Sequence, residues 1–414
     1  MIIKHVIRTQ LALFFLGINP LLSNYFDNRF IPFHPHSPLQ TVQKRSHFGA
    51  QIFFLTGNSA RGDASKEKKG IPEILGSFDQ RVLTDASVVA GNANRLRPAW
   101  QVATDIKWDV HGKIQGQGFS LFSEYTFGEH ITFGGSTAYL HISSNQKFVL
   151  PKDTVRSLSL TPSDEQQLDQ DRRDTLTDLG FTQGKWSKSG MADSELHIRY
   201  GWAKEYRLKC RQVLGGVTLG ALIPTAHKRD QTNPAAIPFG ANHMAGFHCA
   251  ADASFEVKED MWASFLVDIS KRFKKTQIRR IPLKGESELF GATSGRVKVD
   301  PGVTVTFAPK FTYSDIQNGF GASLQYAYTF HARDVWQDKR TVTTLPIDIS
   351  KISDLSRWKS EYLLFNVFYD VSRVSPTHKI APTISLTWDI PVSMFSSLDY
   401  VKTQRVGISV EVLF

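Results

Sequence analysis

The chain has 414 residues, a formal net charge of +10 and a hydrophobic content of 41%. It holds no run of 18 or more apolar residues, so it has no candidate transmembrane helix. The basic residues are scattered and no nucleic-acid motif is present, which favours anionic lipid or lipopolysaccharide over nucleic acid as a partner. The spacing of Cys210 and Cys249 indicates neither a disulfide framework nor a metal site.

The first hundred residues divide into two segments. Residues 1–23 have the pattern of a signal peptide, with a basic start and a short apolar core over 11–22, although a buried N-terminal helix is the alternative. Residues 24–100 are mixed in character, with a possible strand over 47–55 and a possible short helix over 79–90. We expect a periplasmic lead-in or a plug inside a pore here, or else an additional pair of strands.

From residue 101 onward, apolar and polar residues alternate with a period of two in run after run. A β-strand turns successive side chains to opposite faces, so each run predicts a strand with one apolar face. The predicted strands are 101–111, 114–127, 130–143, 193–204, 212–223, 244–257, 261–271, 296–308, 319–331, 358–373, 379–390 and 402–414.

The length of these runs and of their connections distinguishes a membrane barrel from a soluble β-sandwich. The runs have about 10–14 residues, the length that a tilted membrane-spanning strand needs, whereas sandwich strands average five or six. The connections alternate between long and short, as outer loops and periplasmic turns do. Only the first hairpin, at Gly112, is unexpectedly short for an outer loop. We therefore predict an all-β fold, an antiparallel transmembrane β-barrel of about 12 strands (12–14) over residues 101–414.

The last strand carries the clearest family resemblance. Val406, Ile408, Val410, Val412 and Phe414 share one face, and the opposite face is mostly polar. An alternating strand that ends in Phe resembles the C-terminal strand of bacterial outer-membrane β-barrels. The resemblance implies a barrel of the porin or FadL-like transporter type, in the bacterial outer membrane. It also implies that the barrel-assembly machinery binds the strand through the terminal aromatic residue.

The longest insertion lies between the third and fourth predicted strands. Residues 144–192 are polar, and within them 163–180 predict a helix with Ser163 as its N-cap. A surface adhesin or structural barrel that acts through this loop is the alternative to a channel.

The polar face of the predicted strands forms the predicted lining of the lumen. Its charges are mixed in sign, so they predict a water-filled or partly plugged channel with weak charge selectivity, or plain solvation of an inner wall. The predicted lumen-lining residues are Asp105, Lys107, Asp109, Glu124, Glu195, His197, Arg199, Asp268, Lys298, Asp300, Asp389, Arg405 and Glu411.

A basic run follows the seventh predicted strand, at the outer end of the barrel. It is a candidate for binding lipopolysaccharide phosphates, with a solvated loop as the alternative. The candidate residues are Lys271, Arg272, Lys274, Lys275, Arg279 and Arg280.

Two further patterns complete the predictions. His141 and Ser143 are two apart on an outward face, which resembles the active site of outer-membrane phospholipase A, but no orienting Asn can be matched; we predict no catalytic residues. No cofactor motif or metal-ligand spacing occurs. The aromatic residues expected at strand ends or at the lipid face are Trp108, Tyr125, Tyr139, Trp202 and Trp388. The predicted function is passive passage of small polar or hydrophobic solutes.

Overall fold

The computed structural model describes nine stretches of the chain. They are residues 28–31, 46–62, 68–182, 184–205, 211–286, 290–341, 344–374, 381–395 and 397–413. The predicted signal peptide and Phe414 lie outside these stretches.

Twelve antiparallel strands close into a barrel. The described strands are β1 (His47–Arg61), β2 (Lys68–Lys69), β3 (Phe78–Asp79), β4 (Lys107–Phe127), β5 (Ile131–Val149), β6 (Lys185–Met191), β7 (Ser194–Glu205), β8 (Gln212–Ile223), β9 (Gly246–Lys258), β10 (Met261–Arg272), β11 (Lys275–Ile281), β12 (Thr293–Asp300), β13 (Val303–Gln317), β14 (Phe320–His331), β15 (Val335–Asp338), β16 (Trp358–Asp370), β17 (Ala381–Pro391) and β18 (Tyr400–Leu413). β1 pairs with both β4 and β18, which closes the barrel. β6 and β7 both pair with β5 and form the two halves of one broken strand.

The remaining strands and the helices belong to the connections. β11, β12 and β15 form a separate three-stranded sheet. The helices are α1 (Gln80–Val89), α2 (Pro98–Gln101), α3 (Lys152–Ser157), α4 (Pro162–Asp178), α5 (Ile349–Asp354) and α6 (Val371–Val374), with a 3-10 turn at Pro72–Leu75. α4 begins after Thr161, which forms a capping box with Asp164, so the predicted helix is confirmed but its N-cap is not Ser163. No helix in the described stretches is long and apolar enough to span a bilayer.

Connections alternate in length around most of the barrel, as predicted. The last pair is the exception, because 371–380 between β16 and β17 has ten residues and 392–399 between β17 and β18 has eight. One end has short turns, including Glu259–Asp260 between β9 and β10 and Asn318–Gly319 between β13 and β14. Asn318 and Gly319 both have positive φ, the geometry of the two-residue turn that matches the twist of paired strands. The other end carries long connections such as 150–184 and 224–245. By the rule for bacterial barrels, the long connections lie outside the cell and the short turns in the periplasm.

The barrel exterior is apolar in a continuous band, so the predicted outward faces are confirmed for most strands. On β18, Val406, Ile408 and Val410 are exposed while Arg405 and Ser409 are buried. Similar exposed apolar rows run along the neighbouring strands. A closed sheet with such a band satisfies its backbone hydrogen bonds internally and presents apolar side chains to lipid. This is the architecture of outer-membrane β-barrel proteins.

β4 corrects the predicted hairpin at Gly112, because the segment is one strand of 21 residues. In its outer part the outward side chains are polar, as at Lys113 and Gln117, and the inward ones, Val110 and Ile114, are buried. In its inner part the outward side chains are apolar, as at Phe119, Tyr125 and Phe127. The apolar face of β4 therefore changes from the inward to the outward side within one strand. For this reason the alternation in the sequence predicted two strands.

Two other boundaries differ from the prediction. β1 supplies a barrel strand from within residues 24–100, so the barrel begins at His47 rather than at 101. The predicted eighth strand, 296–308, spans two elements: β12 in the outer sheet and the start of β13 in the barrel. Val297 and Val299 alternate like a barrel strand, but they are buried in a small apolar core of the outer sheet.

The aromatic predictions are confirmed except for one. Tyr125, Tyr139, Trp202 and Trp388 are exposed on the outward face. Trp108 is only 6% exposed, and its Nε1–H donates to Gln80 Oε1 at 2.8 Å. It packs in an apolar core beneath α1 and α4, above the lipid band, because the inward face of β4 is the apolar one there.

Candidate functional site

Eight of the predicted lumen residues lie on inward faces of barrel strands. They are Glu124, Glu195, His197, Arg199, Asp268, Asp389, Arg405 and Glu411. The other five are not in the lumen. Asp105, Lys107 and Asp109 are exposed at the outer end of β4, where the face inversion turns them outward. Lys298 and Asp300 belong to β12 in the outer sheet.

The lumen face of the wall carries a row of alternating carboxylates and histidines, which runs from Glu124 near the short-turn end of β4 to His248 near the long-connection end of β9. His197 lies between Glu124 (Nε2 to Oε1, 3.3 Å) and Glu195 (Nδ1 to Oε1, 3.0 Å). His248 lies between the same Glu195 oxygen (Nε2, 2.7 Å) and Asp268 (Nδ1 to Oδ2, 3.0 Å). We call these five side chains the acid–histidine row. It crosses the wall from β4 to β10.

Glycines on the intervening strands make room for the two imidazole rings. A Cβ at Gly134 on β5 would lie 2.4 Å from His197 Nε2, and one at Gly220 on β8 would lie 1.9 Å from His248 Nε2. The strand register places Gly134 beside Glu124 and His197, and Gly220 beside His197 and His248. Charged strands therefore alternate with glycine strands, and each ring lies across a neighbouring backbone.

Two ion pairs extend this paired inner surface. Arg199 donates through Nε and Nη2 to the two carboxylate oxygens of Asp252, at 3.1 and 2.8 Å. Arg405 Nε donates to Asp389 Oδ2 at 2.6 Å on the opposite wall. Since these charges have partners, the inner wall is polar without a large excess of either sign. In the described stretches, no group of three or more His, Cys, Asp or Glu side chains is placed to hold a metal.

The outer half of the barrel is filled by a plug, which we define as residues 224–245 together with Asn28–Ile31. Phe239 and Ile31 are buried against barrel residues such as Phe53 and Leu140 in one apolar cluster. The turn at Asn28–Ile31 is fixed to the wall by Val401 N–H, which donates to Arg29 O at 2.9 Å. Packed apolar side chains therefore fill the lumen beside β18, β1, β4 and β5. The apolar run Ala235, Ala236 and Ile237 is the sequence signal for this packing, and the strand predictions did not use it.

A buried ion pair anchors the plug at the break between β6 and β7. Asp193 lies in that break, and its Oδ2 is 3.1 Å from Arg272 Nη1 and accepts from Ala241 N–H at 2.9 Å. Arg272 Nη1 also donates to Met244 O at 3.0 Å. The strand interruption turns the Asp193 carboxylate toward the plug, which explains why the wall is broken there.

Side chains of the wall hold the plug elsewhere through backbone carbonyls. Ser144 Oγ donates to Ala235 O, and Gln146 Nε2 donates to Pro234 O at 2.8 Å. From the plug itself, Asn233 Nδ2 donates to Lys185 O at 2.9 Å. The plug contains no strand in residues 224–245, so isolated backbone hydrogen bonds, such as Val401 N–H to Arg29 O, and side-chain contacts attach it to the barrel in place of a strand ladder.

The basic run predicted to bind lipopolysaccharide is divided by the structure. Arg272 is 2% exposed and paired with Asp193, so it cannot reach lipopolysaccharide and that prediction is wrong. Lys271 pairs with Asp300, and the other two arginines of the run, 279 and 280, are partly buried. For the exposed Lys274 and Lys275 the role stays a prediction.

The outward histidine of β5 has a different neighbour from the predicted one. His141 Nδ1 is 2.7 Å from Ser189 Oγ on β6, whereas Ser143 Oγ donates to Gln115 O at 3.5 Å. The His141–Ser143 pair of the phospholipase resemblance is therefore not joined by a hydrogen bond here. Cys249 is exposed on the outward face, and Cys210 lies outside the described residues.

Comparison with known proteins gives similarity in structure only. No protein-family model matches the sequence, and no curated protein matches it. An outer membrane channel from Pseudomonas putida F1 is 12% identical, with a TM-score of 0.49 over 92% of this chain and 100% of that one. A Pseudomonas aeruginosa FadL homologue is 6% identical, with a TM-score of 0.32 and 90% of each chain covered.

A third solved structure is the transport unit of the autotransporter AIDA-I from Escherichia coli. It is 4% identical, with a TM-score of 0.36 over 92% of this chain and 93% of that one. The function of the present protein is therefore argued from its own residues.

Proposed function

We propose that the protein is an outer-membrane channel for the passive passage of small polar or hydrophobic solutes, and that the plug closes it. The observation that carries the proposal is a contrast within the lumen: a polar wall with paired charges adjoins a plug that is attached by side-chain contacts and isolated backbone hydrogen bonds, not by a strand ladder. A purely structural barrel needs no such division. A plug without strand pairing can leave the lumen while the barrel stays closed.

The direct test is to remove the hydrogen bonds between wall and plug. The triple variant Ser144→Ala, Gln146→Ala and Asn233→Ala deletes three of them. A neutral hydrogen bond contributes about 1 kcal/mol, so three should raise the open probability about tenfold or more in planar bilayers. The matched control is Ser143→Ala with Gln115→Ala, on β5 and its neighbour β4 but on the outward face.

Conductance decides between the channel and its main rival. Frequent openings in the triple variant, with rare openings in the control and wild type, support the channel. Silence of all three proteins, each with the heat-modifiable gel migration of a folded barrel, would overturn it.

The rival is an adhesin that acts through residues 144–192. In the structure Leu168, Leu176 and Leu179, from α4 and the residue after it, pack into the apolar core over the barrel mouth. The insertion is thus a built part of the outer end, and its remaining surface is polar. Binding of the purified protein to cells, together with silent bilayers, would favour this rival.

A further inference from the structure

The outward face of the barrel changes from apolar to polar along one line where β1, β4, β5 and β6 run side by side. The strand register aligns one apolar or aromatic residue from each of these strands: Ile52, Phe119, Tyr139 and Met191. The rings of Phe119 and Tyr139 stack with their centroids 5.7 Å apart. On β4, β5 and β6 the next outward side chains toward the outer end are polar, so this apolar row marks the upper edge of the lipid band on this flank.

Three polar rows lie directly above that edge on β4, β5 and β6. In register, Gln117 is aligned with His141 and Ser189, Gln115 with Ser143 and Ser187, and Lys113 with Asn145 and Lys185. All nine side chains are exposed except Ser143, which is half-buried. With about 4.8 Å between strands and about 7 Å between rows, they cover roughly 10 by 14 Å of the outer wall. We call these nine side chains the outer-wall patch.

The upper two rows of the patch surround a surface cavity of about 370 Å³, a volume within the range of small-ligand sites. Its lining includes Lys113, Gln115, Ser143, Asn145, Lys185 and Ser187. Among the described residues that line it, none is a carboxylate. Lys113 and Lys185 lie on either side of Asn145, and neither forms an ion pair with a described residue. The cavity therefore presents two ammonium groups among hydroxyl and amide groups.

This combination of side chains fits a phosphorylated sugar. Lysine ammonium groups bind phosphate as point charges, and the hydroxyl and amide groups of serine, asparagine and glutamine both donate and accept hydrogen bonds, as sugar hydroxyls do. A single exposed lysine would hold an anion only weakly. In the cavity two lysines and several neutral polar groups act on the same ligand.

The height of the cavity above the lipid indicates the kind of ligand. Gln115 lies four residues from Phe119, which is about 14 Å along the strand or about 10 Å along the barrel axis for a strand tilted by about 40°. The headgroup layer of a phospholipid leaflet is only about 5–8 Å deep. A lipid with acyl chains on the apolar row therefore reaches the cavity only if its headgroup is large.

We propose that the outer-wall patch binds the phosphorylated sugar headgroup of an outer-leaflet glycolipid of the lipopolysaccharide class. The phosphates lie at Lys113 and Lys185, and the acyl chains cover the apolar row below. The wall continues beyond the cavity, with Lys147 in the next row. The site is on the outside of the barrel, so the proposal goes beyond the channel function and does not depend on passage through the lumen.

The site can be tested by calorimetric titration of the detergent-solubilised protein with diphosphorylated lipid A, the membrane anchor of lipopolysaccharide, in the same detergent. Wild type should give a saturable isotherm. Lys113→Gln and Lys185→Gln should each weaken binding about tenfold, the expected loss of one charge-assisted interaction. Lys185→Glu should weaken it further, because a carboxylate repels phosphate, whereas Lys185→Arg should keep most of the affinity.

The matched control is Lys152→Gln, which removes an exposed lysine of α3 at the same end of the barrel but outside the cavity. It should change the affinity for lipid A by less than about twofold. Each variant is checked for folding by heat-modifiable gel migration. Unchanged affinity in folded Lys113→Gln and Lys185→Gln, or equal weakening by Lys152→Gln, would overturn the site.

Two further ligands identify the occupant. Sodium pyrophosphate supplies phosphate groups without sugar or acyl chains, and phosphatidylglycerol supplies acyl chains and one phosphate without the phosphorylated sugar. Wild type should bind each of them at least about tenfold more weakly than lipid A. Equal affinity for either ligand and for lipid A would overturn a glycolipid as the occupant.

Discussion

Two parts of the barrel interior are filled in opposite ways. Where the plug lies, Phe239 and Ile31 pack against wall residues such as Phe53 in an apolar cluster. From β4 to β10, the wall itself carries the acid–histidine row, whose charges are paired between strands of the sheet. The first part is held by contacts between separate segments, and the second by neighbouring strands.

The difference indicates which of these two parts, the plug or the acid–histidine row, can rearrange. Strand neighbours are fixed by continuous backbone ladders, so the acid–histidine row moves only if the barrel opens. The plug depends on a few side-chain contacts and on burial of apolar surface, and such segments have low local stability. Four measurements can break or sharpen this contrast.

The largest effect is expected from Asp193→Asn in the outer half. It removes the negative charge that lies 3.1 Å from Nη1 of Arg272, which is 2% exposed, and breaking a buried pair costs about 3–5 kcal/mol. Urea unfolding followed by tryptophan fluorescence should show this loss, or an early local transition of the plug. Asp105→Asn, which removes an exposed pair with Lys107, should leave the unfolding curve unchanged. Equal curves for the two variants would mean that Asp193 does not anchor the plug.

The second prediction concerns the effect of Glu286, in the connection above the barrel mouth, on how the free energy of unfolding depends on pH. Burial raises the pKa of this carboxyl to about 8, and its Oε2 accepts from Leu283 N–H at 2.7 Å. Because the folded pKa exceeds the unfolded value of 4.5, the free energy of unfolding should fall as pH rises from about 4.5 to 8. The fall should be at most about 5 kcal/mol, for a pKa difference of about 3.5 units. Thermal melting at pH 5 and pH 9 should show less pH dependence for Glu286→Gln; an unchanged dependence would contradict the assignment.

The packing of the acid–histidine row is tested by Gly220→Val. A Cβ there would lie 1.9 Å from His248 Nε2, and that ring is confined between Glu195 and Asp268. Overpacking of this kind costs about 1–3 kcal/mol, measured as a shift of the urea midpoint. The control Ala221→Val adds two γ-methyl groups on the outward face of the same strand. If Gly220→Val is as stable as its control, the row is looser than the geometry indicates.

The smallest effect distinguishes the two parts of β4. Brominated lipid should quench Trp202 and Trp388, which are exposed on the lipid-facing side, but not Trp108. Trp388→Phe should therefore reduce the quenchable fraction of the fluorescence, whereas Trp108→Phe should increase it slightly. A decrease in the Trp108→Phe protein would place that residue in the lipid band and contradict the face inversion.

Period-two alternation predicted most outward faces, because each barrel strand separates lipid from lumen. The predicted number of strands also agrees, although the first two predicted strands are joined in β4 and β1 was not among the twelve. The prediction from alternation failed where the two faces of a strand are not divided between lipid and lumen. A turn was predicted at Gly112 because, above the lipid, the apolar side chains of β4 face inward and the polar ones face outward. Val297 and Val299 looked like barrel residues because any two-sided sheet alternates.

The candidate site was predictable only in part. His197 and Glu195 could be assigned to the lumen from parity alone. The anchoring of the plug by Asp193 and Arg272 could not, because it joins residues about 80 positions apart through a strand break that has no local sequence pattern. The sequence pattern even assigned Arg272 to an exposed basic run.

The long β4 strand has a consequence for how the cell surface meets this protein. Its 21 residues extend about 70 Å at about 3.4 Å per residue, which exceeds the lipid band of about 25 Å even when the strand is tilted. β5 has 19 residues, whereas β17 on the other side has 11. The rim is therefore lopsided, with a tall wall on one flank. On intact cells we expect antibodies to recognise the hydrophilic outer face of that wall, around Lys113 and Lys147, before any other part of the barrel.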